Sequence, residues 1–425
     1  MAEKARCNRR VLGMLKKRLA EARLDEVPDP RDRRGRRWPL GTLLRSAVVG
    51  LVSGAKSLGD VERTTAELTP AVRHRLGIRR RVPDTTLRDV LCRLRPHELR
   101  RSLHSVVRAA HGRKALSAAD GLPFGMVSLD GKGTAVPSAD DFYAQRQTSS
   151  ETSALTGVVR TVTATLTSSA ARPCIDVTPI PASTNEMGAF EAALRGLVAA
   201  YDGIDLFRLV SYDAGACSLD NAGLVRQLGL HYLFGLKSSQ PTLWREANLV
   251  LGSLGPEQAA ATTEDIERGC RVVRRIYLTP VIDGFTDWTH LRTILRIESV
   301  TLDCHDTVLS HDNRYFLSSM PLSRLSAAQW LLAARRHWGV ETTHQILDVS
   351  FHEDDCPWIE SNPRATAVVI VLRRIAYTLL ALWRFVTLRA DEQRTRPWRA
   401  ILHEVSVALL TATETQLAPL PPVPG

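Results

Sequence analysis

Hydrophobic spacing changes along this chain, and each change marks a different kind of element. Near the start, Leu43, Leu44, Val48 and Leu51 recur at helical intervals, and Leu87, Val90, Leu91 and Leu94 fall at i, i+3, i+4 and i+7. Each run gives a helix one apolar face, and Asp84 or Thr85 stands where the second helix would be capped. Short helices joined by Gly-containing turns fit a helix-turn-helix-like unit, as they would any small helical bundle. From Pro123 the spacing becomes that of strands. "GMVSLDG" predicts a buried strand ending at Asp130. The polar stretch from Pro137 to Ser153 predicts a mobile loop. After it, "GVVRTVTATLTSS" alternates with period two from Val158 to Leu166, and "CIDVTPIPAS" offers an antiparallel partner.

Helical spacing returns behind Asn185, with Phe190, Leu194, Leu197 and Val198 on one face. "LFRLVSYDAGA" then predicts a second strand ending in an acid, Asp213. Ser218 is placed to cap the next helix, and "HYLFGLK" reads as a strand parallel to the second, reached by a right-handed crossover. This order describes an α/β unit, a mixed sheet covered by helices. Strand-like runs, "CRVVRRIYLTPV", "HLRTILRIESVTL" and "RYFLSSMP", interrupt it as a β-rich insertion before one helix, "LSAAQWLLAARRHWGVETTHQIL". The chain thus divides into a helical, basic segment (1–120), the first part of a core (121–258), the insertion (259–321) and the last part of the core (322–390). A C-terminal helix and a Pro-rich tail (391–425) follow, the tail "LAPLPPVPG" being of a composition expected to stay disordered.

Charge sharpens this division. The chain carries 56 Lys and Arg against 45 Asp and Glu, a net +11; residues 1–120 hold 29 of the cations and 13 of the anions, which leaves +16 in front and −5 behind. A basic front joined to a mildly acidic body fits a polyanion-binding module attached to one that holds cations. Arg33, Arg34, Arg36, Arg37 and Arg88 are its candidate DNA contacts. The seven cysteines are never spaced Cys-x-x-Cys, which argues against a disulfide framework and a zinc knuckle. The most apolar stretch, "AVVIVLRRIAYTLLALW", is split by Arg373 and Arg374, so no membrane partner is expected and a cytoplasmic, nucleoid-associated location is.

Candidate chemistry concentrates in "RRHWGVETTHQILDVSFHEDD", Arg335 to Asp355, where three histidines, five acids and two arginines surround Trp338, Ile346 and Leu347. Desolvating a carboxylate costs several kcal/mol unless a cation offsets it. On one helix, His337, Glu341, His344 and Asp348 would form a continuous polar stripe. Asp130 and Asp213 at strand ends, with Glu341 on a helix packed across the sheet, would supply the hard oxygen ligands that suit Mg2+ or Mn2+. Two-metal phosphoryl transfer needs carboxylates converging from separate elements in this way. Arg335 and Arg336 precede the third acid, either to hold a phosphodiester or as surface cations with helix partners. A second Glu-x-x-His element, a His-Glu-x-x-His and a Gly-x-x-x-x-Gly-Lys are all missing, which excludes di-iron bundles, the common zinc proteases and phosphate-loop hydrolases.

At these residues the chain resembles the DDE-type transposases of bacterial insertion sequences, in particular the H-repeat-associated branch. The resemblance runs from about Asp29 to Arg374. It rests on "DPRDRRGRRWPLGTLL", "VPDTTLRDVLCRL", "LDGKG", "TNEM", "YDAGAC", "YLFGLKSSQPTL" and the Arg335 to Asp355 motif. It implies a ribonuclease H-like fold with a β-strand insertion between the second and third acids. It also implies a divalent-metal enzyme that cuts and rejoins DNA at the ends of its own element. Carried over by position, Asp130, Asp213 and Glu341 would be the catalytic and metal-binding acids. Lys132, Lys237 and Gln240 would lie near the substrate strand, and Arg335, His337 and Trp338 would flank the third acid. The chain departs from its relatives where "GTAVPS" lacks an arginine after the first acid, and where Thr342 replaces a common asparagine. Ala334, His337 and Asp348 replace the tyrosine, arginine and lysine of broader relatives.

The expected function is transposition. The expected partners are double-stranded DNA, both element ends and target, and a second copy of the chain in the active complex. A DNA-binding relative without catalysis, or a host nuclease of the same fold, stands as the alternative.

Overall fold

The computed structural model describes residues 2–116, 121–137, 141–148, 155–280, 288 and 290–417. The chain opens with helices α1 (Ala2–Glu21), α2 (Leu40–Val52), α3 (Leu58–Glu67), α4 (Pro70–Leu76), α5 (Asp84–Arg93) and α6 (Pro96–Gly112). Ser57 and Thr69 cap α3 and α4 by accepting the Asp60 and Val72 N–H groups at 3.1 and 3.3 Å, which satisfies donors that a helix start leaves free. The expected cap of α5 differs. Pro83 occupies the cap position and Asp84 lies inside the first turn, where its negative charge still complements the helix dipole. The predicted apolar faces hold, since Leu43, Leu44, Val48, Leu51, Leu87, Val90, Leu91 and Leu94 are all buried.

The sheet layer begins with strands β1 (Met126–Val136), β2 (Ala144–Thr148), β3 (Leu155–Thr165) and β4 (Cys174–Pro179). Then come α7 (Glu186–Ala200), β5 (Leu209–Tyr212), α8 (Leu219–Gln227), β6 (His231–Leu236) and α9 (Pro241–Leu251). The insertion supplies β7 (Ala261–Glu267), β8 (Cys270–Pro280), β9 (Thr293–Leu302) and β10 (Val308–Ser318). Helices α10 (Ala327–His337), α11 (Gly339–Phe351), α12 (Pro363–Leu382), α13 (Asp391–Thr395), α14 (Trp398–Thr411) and α15 (Glu414–Leu417) complete the described chain.

Among the described residues ten strands form one mixed sheet in the order β2-β3-β1-β5-β6-β10-β9-β8-β7, with β4 also on β3. β1, β5 and β6 are parallel neighbours, as the parallel crossover required. The insertion does not form a separate layer: β10 pairs antiparallel with β6 from Tyr315 to Ser318, so the meander β10-β9-β8-β7 prolongs the central sheet. Alternation along the strands sends side chains to two cores. Val127, Val210, Phe234 and Leu317 join the core shared with α7, α12 and the N-terminal helices, whereas Met126, Leu209, Leu233 and Phe316 pack with Trp330 and Leu331 of α10 on the other face.

Three expectations need correction. β1 does not stop at Asp130. Its pairing with β5 ends at Ser128, but its ladder with β3 runs on from Ser128 to Val136, so Asp130 sits within a strand held on one side only. The stretch expected as a mobile loop contains β2, paired with β3, while residues 138–140 and 149–153 lie outside the described residues. The single helix expected up to Leu347 is two, divided at Trp338. A Cβ on Gly339 would come within 2.8 Å of the Thr167 methyl, so glycine is what lets α11 start against that loop. The Pro-rich tail beyond Leu417 also lies outside the described residues. The segment Pro363–Thr387 is long and apolar enough to cross a membrane, and its most apolar stretch is buried inside the fold, from Ala365 to Arg384.

Candidate active site

The site lies where β1 and β5 part. Their last pair is Ser128 with Ser211, and Asp130 and Asp213 follow within two residues on each strand. Asp213 caps a short 3₁₀ turn, accepting the Gly215 N–H at 2.9 Å, which fixes its carboxylate at the strand end. Gly235 of β6 has no side chain to meet the following turn, whose Ala214 nitrogen would lie 3.0 Å from a Cβ.

The third acid, Glu341, stands in the first turn of α11 and is exposed. His344, one turn on, sets its Nδ1 3.1 Å from an Asp130 carboxylate oxygen, and its buried Nε2 has no hydrogen-bond partner among the described residues. Partial burial, then the charges of Asp130 and Asp213, hold the Glu341 carboxyl above its ordinary pKa, against the opposing pull of Arg314 and His344. A fourth acid, Glu186 at the start of α7, is likewise raised by burial and by Asp130 and Asp213, although the Tyr212 hydroxyl, which it accepts, and the Gly131 backbone oppose this. Beneath them runs a buried hydroxyl chain. His337 Nδ1 meets Ser211 Oγ at 3.1 Å, Ser211 Oγ meets Ser128 Oγ at 2.8 Å, and Ser128 Oγ meets Thr167 Oγ1 at 2.9 Å. Burial lowers the His337 pKa to about 4, so the imidazole is neutral in this chain of dipoles.

A cleft of about 540 Å³ opens beside the acids, with Asp213 and Glu341 on its wall and Lys237, Arg314, Trp244 and Trp338 around them. The Arg314 guanidinium lies 4.6 Å from the centre of the Trp338 ring, a cation–π contact that keeps the charge at the cleft while limiting its freedom. Among the described residues, no three His, Cys, Asp or Glu side chains are drawn close enough to hold a metal ion as they stand. The donor set nevertheless fits a hard dication. It consists of carboxylates from separate elements, two of them raised first by burial and then by their neighbours' charge, and an added positive charge would offset both effects.

Other residues singled out from the sequence have specific partners. Lys132 bridges Asp348 and Asp354 at 2.7 and 2.9 Å, with 9% of its side chain exposed. Gln240 donates to the Cys217 carbonyl at 2.8 Å and so braces the loop behind Asp213. Arg335 turns away to Asp265 of β7 at 3.0 Å, while the Arg336 carbonyl accepts from Ser128. Lys237 is exposed at the cleft, and Trp338 forms the joint between α10 and α11. Arg33, Arg34, Arg36, Arg37 and Arg88 are exposed on the N-terminal helical unit, Arg88 donating to Ser361 at 3.0 Å. Glu186, Arg314 and Trp244 were not among the sequence candidates. The motif "TNEM" already contained Glu186; Arg314 carries no local signal, because only the β10–β6 pairing brings it to the cleft.

Residues 127–379 match the family Transposase DDE domain, and residues 22–107 match the family DDE_Tnp_1-associated. The chain belongs to the DDE transposases of insertion sequences, and its mixed sheet is the ribonuclease H-like fold of that family. Among individual proteins it is similar to "H repeat-associated putative transposase YhhI" of Escherichia coli (strain K12), with 28% identity over 183 residues, 41% of this chain and 47% of that protein. "Putative protein YbfL" of the same organism matches with the same identity and coverage. The chain spans about half the length of these curated relatives.

Proposed function

We propose that the protein is a DNA transposase that cuts and joins phosphodiester bonds at the ends of its element, with Asp130, Asp213 and Glu341 as its catalytic acids. The observation that carries this reading is the arrangement of the acids. Two stand where adjacent parallel strands separate, and the third, on the facing helix, feels the charge of both. These three residues would hold Mg2+ or Mn2+. When bound, a divalent ion activates the attacking oxygen and stabilises the leaving one.

The chain's own residues supply the rest. Lys237 and Arg314, on the cleft wall with Asp213 and Glu341, would seat a phosphodiester against them, since fixed cations position phosphate without base readout. His344 would orient Asp130 through its 3.1 Å contact, and the neutral His337, anchored on Ser211, would keep the end of α10, from which α11 starts, seated over the strands. The exposed arginines of the N-terminal helices would bind the element ends. Because two ends must be paired, two copies would act together, in the cytoplasm at the nucleoid. The decisive experiment is Asp130→Asn assayed on an end-bearing duplex. Mg2+-dependent strand cleavage is expected to vanish while end binding stays largely in place, and unchanged cleavage would remove the assignment.

A further inference from the structure

α7 begins at Glu186, one residue after Asn185 caps it by accepting the Gly188 N–H at 2.9 Å. The side chain reaches into the fork between β1 and β5. From β5 it accepts the hydroxyl of Tyr212, the residue just before Asp213. On β1 it lies against Gly131, the residue just after Asp130, whose backbone favours its charged form. The fit against β1 is close: a Cβ at position 131 would lie 1.8 Å from a Glu186 carboxylate oxygen, so any larger residue there would displace the end of that side chain. Thus one carboxylate is tied to both strands that carry the first two acids, at the point where those strands stop pairing with each other. The hydroxyl of Tyr212, a residue that is itself buried, is thereby committed to this carboxylate rather than to solvent.

We infer that Glu186 is a fourth acid of the catalytic centre, placed to share a divalent cation with Asp130 and Asp213, directly or through a bound water. Tyr212 is its positioning residue, and Gly131 makes the space it occupies. The inference rests on the proposed function, because it needs Asp130 to be a metal ligand. It adds a residue that a three-acid description of the site leaves out.

The test is Mn2+ binding to the full-length protein without DNA, followed by the electron paramagnetic resonance of free Mn2+, for wild type, Glu186→Gln, Gly131→Ala and Asp130→Asn. Outer-sphere and auxiliary ligands typically contribute about 10- to 100-fold to metal affinity, and a loss of that order is expected for Glu186→Gln. Gly131→Ala keeps every acid and only displaces the mobile end of Glu186, so it should weaken binding in the same sense. If Glu186→Gln does not fold, Gly131→Ala alone decides. Wild-type affinity in these variants, with Asp130→Asn weakened, would overturn the role of Glu186 and leave the proposed centre standing. Wild-type affinity in all three, Asp130→Asn included, would overturn the centre itself.

Discussion

Asp176, with 3% of its side chain exposed, joins the N-terminal helices to the sheet. From β4 it accepts Arg100 at 2.9 and 2.5 Å and His104 at 2.8 Å, both from α6. Burial alone would raise its pKa, yet Arg100 and His104 hold the carboxyl well below the usual range. Removing one partner of a buried pair strands the other, at a cost of about 3–5 kcal/mol, so Asp176→Asn should lower the unfolding free energy by an amount of that order. The pH dependence has a definite sign. Since the folded pKa is depressed, the stabilisation is complete above the unfolded value near pH 4 and is lost as pH falls through the folded one. The gap between wild type and variant in urea titrations should therefore narrow below about pH 4; a gap that widens there would contradict the assignment. At this scale the sequence shows Asp130 and Asp213, because an apolar run closed by an acid is a local pattern. It does not bring Glu186 to them, because the groups beside it, Gly131 and Tyr212, lie on two strands distant in sequence.

Among the elements, the joint between α10 and α11 sets where Glu341 points. Trp338 and Gly339 are each compatible with a continuous helix, and the polar stripe through His337, Glu341, His344 and Asp348 reads across both. What ends α10 there is tertiary: Gly339 abuts Thr167, and the Trp338 ring packs between Phe316 and His337. Gly339→Ala should push α11 off the β-branched Thr167, shift Glu341, and reduce strand cleavage by roughly 100-fold, the scale for about a 1 Å misplacement of a catalytic group. Thr167→Ser removes the obstructing methyl and keeps the hydroxyl that meets Ser128. The double variant should recover most of the loss in single-turnover cleavage assays; no recovery would mean that the glycine serves another purpose. The extension of β1 is hidden for a similar reason. "GKGTAV" has weak strand propensity, and its conformation is set by the β3 ladder on one side.

Across the whole molecule, the basic front is not a detachable arm. α2, α5 and α6 pack on α12, α1 packs on α14, and their apolar side chains share one core with the sheet. Deleting residues 1–120 would uncover that core, so end binding is better probed by surface substitution. Replacing Arg33, Arg34, Arg36 and Arg37 together by alanine should leave the fold intact. It should reduce the salt dependence of end binding by about 0.9 in log–log slope for each phosphate that these side chains neutralise in the wild type. Fluorescence anisotropy over a salt series measures this, and an unchanged slope would place the DNA elsewhere. The charge asymmetry that suggested this face is legible in composition, as is the β-rich nature of residues 259–321. The joining of that insertion to the central sheet depends on Tyr315–Ser318 meeting Leu233–Leu236, a long-range pairing that no local pattern encodes.

The claim on which the proposed chemistry depends is that Asp130, Asp213 and Glu341 share divalent metal. Anomalous diffraction from crystals grown with MnCl2 and a cleaved element end tests it most directly. The expected map has manganese peaks ligated by these three carboxylates at the mouth of the β1–β5 fork. Manganese bound elsewhere, or a fork without a peak at saturating metal, would contradict it.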